Sequence, residues 1–129
     1  MGDLGLVLAA SDGGATWNRQ ITNTAAPLNA VCFTDATHGW AVGGAGLILA
    51  TTDSGATWSA QSAPSTAPLN AVAFSGAIHG WAVGGSGTIL ATTHGGATWS
   101  KQTSGTTEGL GALSFIDATH GWAVGAEGI

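Results

Sequence analysis

The sequence predicts an all-β fold, a β-propeller of four-stranded blades. A motif set returns every 41 residues: Trp17, Trp58 and Trp99 each close a Gly-Ala-Thr-Trp, and Trp40, Trp81 and Trp122 each sit in His-Gly-Trp-Ala-Val-Gly. Each full period holds four short apolar runs bounded by Gly, Asp and Ser. The composition is that of tightly turned β-structure, with 22 Gly in 129 residues and only 7% charged side chains. A period in the low forties with four strand-like runs inside it is the mark of a propeller blade. The alternative, a β-solenoid, has shorter coils and lacks the up-down-up-down turn pattern.

Residues 28–68 make one full repeat. Leu28-Asn29-Ala30-Val31-Cys32-Phe33 alternates large and small and reads as strand A, innermost around the axis. Asp35 to Gly39 is a turn, and Trp40-Ala41-Val42 is strand B. Gly43-Gly44-Ala45-Gly46 is a glycine-rich turn that can supply positive φ. Leu47 to Thr51 is strand C, Asp53-Ser54-Gly55 is a tight turn, and Ala56 to Gln61 is strand D. Ser62 to Pro68 connects to the next blade. Residues 69–109 repeat the pattern, with most differences in turns and in this connector.

The pattern begins at strand C. Gly5 to Ala9 matches Gly46 to Ala50, so residues 5–27 read as the C–D half of a split blade, and residues 110–129 as an A–B half. A lone hairpin is marginal in water, and each half offers a raw edge. The halves are complementary. Closing them within one chain would need fewer blades than the usual minimum of about four. The expected solution is a homo-oligomer, with the C-terminal half of one chain accepting the N-terminal half of another. Leu6, Leu8 and Trp17 would meet Phe115, Trp122 and Val124. Two-fold dimers are the commonest homo-oligomers, so a six-bladed homodimer is favoured, with a nine-bladed trimer second.

The turn between strands C and D carries a family resemblance. Thr51-Thr52-Asp53-Ser54-Gly55-Ala56-Thr57-Trp58 resembles the Asp-box, the bacterial neuraminidase repeat Ser/Thr-x-Asp-x-Gly-x-Thr-Trp. Ala10 to Trp17 matches except at Ala10, and Thr92 to Trp99 matches except that His94 replaces the aspartate. Together with the His-Gly-Trp-Ala-Val-Gly and Gly-x-Ile-Leu-Ala-Thr-Thr segments, these blades resemble the photosystem II stability and assembly factor-like repeats. The resemblance covers nearly the whole chain. It implies a structural role, on the rim and away from any substrate face, for Asp12, Gly14 and Trp17, for Asp53, Gly55 and Trp58, and for His94, Gly96 and Trp99. A carboxylate in a tight turn accepts backbone N–H groups, Gly supplies the unusual dihedral, and Trp fills the space between blades. The resemblance also implies a role in holding or assembling other proteins and an extracytoplasmic location.

Several function classes are disfavoured. Two basic residues against seven acidic ones give a net charge of −5, without the basic stripe that nucleic acid or an anionic membrane surface requires. Apolar runs such as Leu47-Ile48-Leu49-Ala50 are far short of a membrane span. Met1-Gly2-Asp3 has neither the basic start nor the apolar core of a signal peptide, so none is expected in this stretch. Cys32 is the single cysteine, with Ala73 and Ser114 as its repeat equivalents, and is expected to be a small buried residue. Sialidases resemble one another in an arginine triad and a Tyr–Glu pair. This chain has Arg19 alone and no Tyr, so no glycosidase activity is expected. His38, His79 and His120 recur in A–B turns that splay around the axis, and they lack metal-ligand spacing. They read as turn residues, and no metal or other cofactor is expected.

Asn29 and Asn70 open strand A, near the glycine turns that contain Gly44 and Gly85. The connectors Thr22 to Pro27, Ser62 to Pro68 and Thr103 to Gly109 border the same face, where a propeller would take a ligand. The expected function is a non-enzymatic scaffold or protein-interaction module that assembles with itself. The alternatives are a carbohydrate-binding lectin propeller, or an engineered or excised run of repeats with no selected activity.

Overall fold

The computed structural model describes residues 7–10, 14–20, 22, 24, 26–76 and 78–125. Leu6 and Asp12 lie outside them. The described chain forms β1 (Val7–Ala9), β2 (Asn18–Gln20), β3 (Leu28–Phe33), β4 (Gly39–Gly43), β5 (Ile48–Thr51) and β6 (Ser59–Gln61). It continues through β7 (Leu69–Ser75), β8 (His79–Gly84), β9 (Ile89–Thr92), β10 (Ser100–Gln102), β11 (Leu110–Phe115) and β12 (Gly121–Gly125). Two four-stranded sheets, β3-β4-β5-β6 and β7-β8-β9-β10, are accompanied by the two-stranded sheets β1-β2 and β11-β12. All neighbours are antiparallel and consecutive, the meander of a propeller blade.

The register repeats with the sequence. Val7 pairs with Gln20 as Ile48 does with Gln61 and Ile89 with Gln102. Leu110 pairs with Gly125 as Leu28 does with Gly43 and Leu69 with Gly84. The two-stranded sheets are therefore a C–D half and an A–B half. Strand D is shorter than the sequence pattern predicts, beginning at Ser59 rather than Ala56. The same start recurs at Ser100 in the next blade, where His94 stands in place of the aspartate, so the shortening does not depend on the Asp53 carboxylate.

The glycine of His-Gly-Trp has a packing cause. Gly39 lies opposite Phe33, and a Cβ there would stand 2.6 Å from the Phe33 ring. Gly80 under Phe74 and Gly121 under Phe115 repeat the relation. Only a bare backbone lets the strand-A aromatic lie flat across the hairpin.

The core lies between blades. One buried cluster joins Trp40, Val42 and Ile48 to Leu69, Leu90 and Trp99 of the next blade. Trp40 stacks on Phe74 with centroids 3.7 Å apart, and Trp81 stacks on Phe115 at 3.5 Å. Phe74 meets Trp99 edge-on at 5.9 Å. Such pairs add roughly 0.5–1.5 kcal/mol beyond area burial. A second cluster joins Val7 of β1 to Leu28, Ala41, Leu49 and Trp58. Cys32, expected buried, is half-buried beside the first cluster, on a strand whose side chains alternate between covered and open.

Strand A carries a bulge in each copy, between Leu28 and Ala30, Leu69 and Ala71, and Leu110 and Ala112. The extra residue is Asn29, Asn70 or Gly111. A bulge re-aims a side chain, and here it sends the amide sideways. Asn29 Nδ2 donates to the Leu69 carbonyl (2.8 Å), and Asn70 Nδ2 to the Leu110 carbonyl (2.9 Å). Each asparagine ties its innermost strand to that of the following blade.

Candidate functional site

The C–D turns are latches. Asp53 Oδ1 accepts from Thr57 N–H (2.9 Å) and Thr51 Oγ1 (2.8 Å), while Oδ2 accepts from Thr57 Oγ1 (2.6 Å). Thr51 Oγ1 accepts from Gly55 N–H (2.9 Å), and Gly55 takes a φ of 90° that favours glycine. Gly14 and Gly96 repeat that conformation at 92° and 94°. Trp58 and Trp99 are buried, whereas Trp17 is 60% exposed. The Thr57 hydroxyl, the Thr57 N–H and the Thr51 hydroxyl, in that order, hold the Asp53 carboxyl down at about 2.

At His94 half of the latch is missing. Thr92 Oγ1 still accepts from the N–H groups of His94 (3.2 Å) and Gly96 (3.0 Å), but nothing replaces the carboxylate bonds to the following threonine. His94→Asp is expected to raise stability by about 0.5–1 kcal/mol, the scale of a hydrogen bond, in urea denaturation. A lower melting temperature would show that the imidazole has a role of its own.

Two of the three recurrent histidines, His38 and His120, belong to a second local network; His79, expected in a turn, instead opens β8 opposite Ser75, and Gly76 stands where the other two turns have their aspartate. Asp35 Oδ1 accepts from the N–H groups of Thr37 and His38 (2.8 Å each) and from Thr37 Oγ1 (2.9 Å). His38 Nδ1 lies 3.1 Å from the same carboxylate. Asp117, Thr119 and His120 repeat the set. Among the described residues no group of three or more His, Cys, Asp or Glu could hold a metal ion. Thr119 N–H leads the bonds that hold Asp117 down at about 2, and Thr37 N–H leads those that hold Asp35 well below the usual carboxylate range. A carboxyl depressed in the folded state stabilises it fully above the unfolded pKa and loses that contribution as pH falls through the folded value. Melting temperature is therefore expected to drop between about pH 4 and pH 2. Asp53→Asn should flatten part of that slope, and an unchanged slope would contradict the latch.

The face expected to take a ligand is held together by backbone. Gly44 and Gly85 each begin a short 3₁₀ turn, and their N–H groups donate to the carbonyls of Pro27 (3.0 Å) and Pro68 (2.9 Å) in the connectors. Asn29 and Asn70 spend their amide donors between blades, as described above. Beside the second full blade lies an open groove of about 750 Å³, lined by Ser86, Gly87, Lys101, Gln102, Ser104 and Thr106 among others. It is rich in hydroxyls, and Lys101 is its one charged group.

The open sheets present apolar surface. Leu8 is 49% exposed, Trp122 58% and Val124 55%. Phe115, expected with them, already stacks on Trp81 within the chain. Between β1-β2 and the first full blade runs a cleft of about 800 Å³ lined by Val7, Leu8, Trp17, Gln20, Phe33 and Trp58 among others. Phe33 and Gln20 were not singled out by the sequence. Their signal was the repetition itself, Phe33/Phe74/Phe115 and Gln20/Gln61/Gln102.

Sheet order, register and interblade stacking define a segment of a β-propeller with repeated four-stranded blades. A family model described as Photosynthesis system II assembly factor YCF48 matches residues 9–101 and, in a second overlapping match, residues 57–129; the chain belongs to this family. Among solved structures it is similar to YCF48 from Cyanidioschyzon merolae, at 23% identity and a TM-score of 0.79, over 94% of this chain and 42% of that one. It is also similar to a YCF48 bound to D1 peptide, at 27% identity and a TM-score of 0.78, over 95% of this chain and 41% of that one. The chain thus spans about two-fifths of the length of both structures. No curated protein matches it.

Proposed function

We propose that this chain is a non-enzymatic protein-interaction module that completes its open blades with a second copy of itself and holds an extended peptide of a partner protein along its connectors. The observation that carries the peptide reading is the likeness to a YCF48 bound to D1 peptide, at 27% identity over 95% of this chain. The groove beside the second full blade supports it: small residues let a peptide backbone approach, and the hydroxyls of Ser86, Ser104 and Thr106 can meet its polar groups. Buried Trp58 and Trp99 offer no free ring face to a sugar, which disfavours the lectin reading at those positions.

Titration of a labelled D1 peptide, followed by fluorescence anisotropy, tests the module. Saturable binding that weakens at least tenfold in Thr107→Trp, an exposed groove-lining position, is expected. Binding that ignores this substitution would place the peptide elsewhere, and no binding would overturn the peptide reading.

Self-completion is supported by the paired open hairpins. Among the described residues β12 and β1 each have one strand neighbour, where their equivalents β4, β5, β8 and β9 have two. Their registers are those of the two halves of a full blade.

A further inference from the structure

We propose that the C–D turn of the second full blade is a carboxylate-binding site, in which Thr92 and Thr98 take an Asp or Glu side chain of a partner protein where the first full blade uses its own Asp53.

The turn keeps its shape without a carboxylate of its own. In the first full blade the Asp53 carboxylate accepts from Thr57 N–H (2.9 Å), Thr57 Oγ1 (2.6 Å) and Thr51 Oγ1 (2.8 Å). Thr92 and Thr98 are the equivalents of Thr51 and Thr57, and His94 stands in the place of Asp53. The backbone is alike in the two turns. Gly96 takes a φ of 94° against 90° at Gly55. Ala97 N–H donates to the His94 carbonyl (3.3 Å) as Ala56 N–H does to that of Asp53 (3.2 Å). Gly96 N–H donates to Thr92 Oγ1 (3.0 Å) as Gly55 N–H does to Thr51 Oγ1 (2.9 Å). The donors are thus held ready for an acceptor that this turn does not supply. Among the described residues Thr98 N–H and Thr98 Oγ1 donate to no acceptor.

Such a donor set selects charge. The Thr57 hydroxyl leads the bonds that hold the Asp53 carboxyl down at about 2, so the set favours an ionised carboxylate over a neutral acid. Bonds to an ionised acceptor are also shorter and stronger than neutral ones.

The rest of the blade suits a partner's carboxylate. His94 and Thr98 are exposed, as Asp53 and Thr57 are in the preceding blade, so the donors can be reached from solvent. Residues 69–107 contain no Asp or Glu, although the chain carries seven, so the blade holds no competing acceptor of that kind. The neighbouring A–B turn has lost its carboxylate too: Gly76 stands where the other blades have Asp35 and Asp117. The two altered turns touch, since Gly95 N–H donates to the Ile78 carbonyl (2.9 Å). An arriving anion therefore meets no fixed negative charge there. Ile78 replaces Thr37 and Thr119 of the other turns and is 55% exposed. The His94 imidazole can donate to the same carboxylate. The site fits an acidic side chain next to an apolar one. Giving up a latch costs stability, and paired departures of this kind, in two bonded turns of one blade, belong to functional sites.

The test titrates the isotope-labelled full chain with the peptide acetyl-Gly-Glu-Leu-Gly-amide, followed by heteronuclear NMR. The Glu peptide should move the Thr98 amide proton downfield in a saturable way. The same peptide with Gln in place of Glu should bind at least tenfold more weakly, the scale of a lost charged hydrogen bond. His94→Asp supplies the carboxylate within the chain. It should keep the fold, raise the melting temperature and weaken the Glu peptide at least tenfold, because the donors are then taken. A Thr98 amide that does not respond, a Gln peptide that binds as tightly, or a His94→Asp variant that binds the Glu peptide as well as the parent chain would each overturn the site. None of these outcomes touches the groove along the connectors, which Thr107→Trp tests separately.

Discussion

Trp99→Ala is expected to lower stability by about 3–5 kcal/mol, the range for truncating a buried tryptophan in a core that relaxes only partly. Trp99 is 6% exposed, lies edge-on to Phe74, and donates to Gln61 of the preceding blade. Its loss opens a cavity in the larger cluster and removes that interblade bond. Trp58→Ala should fall at the lower end of the same range. Trp58 is equally buried, but it borders an open cleft and its Nε1 has no partner to lose. Urea denaturation of the two variants at one protein concentration checks both the magnitude and the order. A loss below about 1 kcal/mol for Trp99→Ala would mean that the box tryptophan is not an interblade filler.

Gly84→Ala is the second large effect. The added Cβ would collide with the Pro68 carbonyl oxygen and stand 2.8 Å from Leu69 Cα, both backbone atoms that cannot swing away. Gly84 is extended, with φ −168°, so its conformation suits alanine and the whole penalty is steric. Overpacking of this kind costs about 1–3 kcal/mol. The displaced Pro68 carbonyl also accepts from Gly85 N–H (2.9 Å), so the connector should loosen with it. Gly109→Ala is the control: nothing lies within 4 Å of its Cβ, and the change should be neutral to within about 0.5 kcal/mol. Equal melting temperatures for the two variants would contradict the close approach.

The blade was legible because each strand run is short, apolar and punctuated by turn residues, and because it recurs. Strand A was read as Leu28 to Phe33, which are its bounds in the structure. The family was legible from Thr51 to Trp58 and its repeats. What stayed hidden depends on neighbours across blades. Asn29 and Asn70 were read as ligand-face residues from their place at the start of strand A, beside the glycine turns and the connectors. The bulge that turns their amides toward the next blade is a register event with no residue of its own to announce it. The pairing of Trp40 with Phe74 was hidden for a similar reason, since a period says that positions are equivalent but not which of them meet.

The proposed self-completion is tested most directly by the mass of the full chain in solution across a hundredfold range of concentration. Light scattering with sedimentation equilibrium should find a closed dimer, with a melting temperature that rises with protein concentration because association stabilises the folded chain by mass action. A trimer mass would replace six blades with nine. A monodisperse, stable monomer over the whole range would contradict the account.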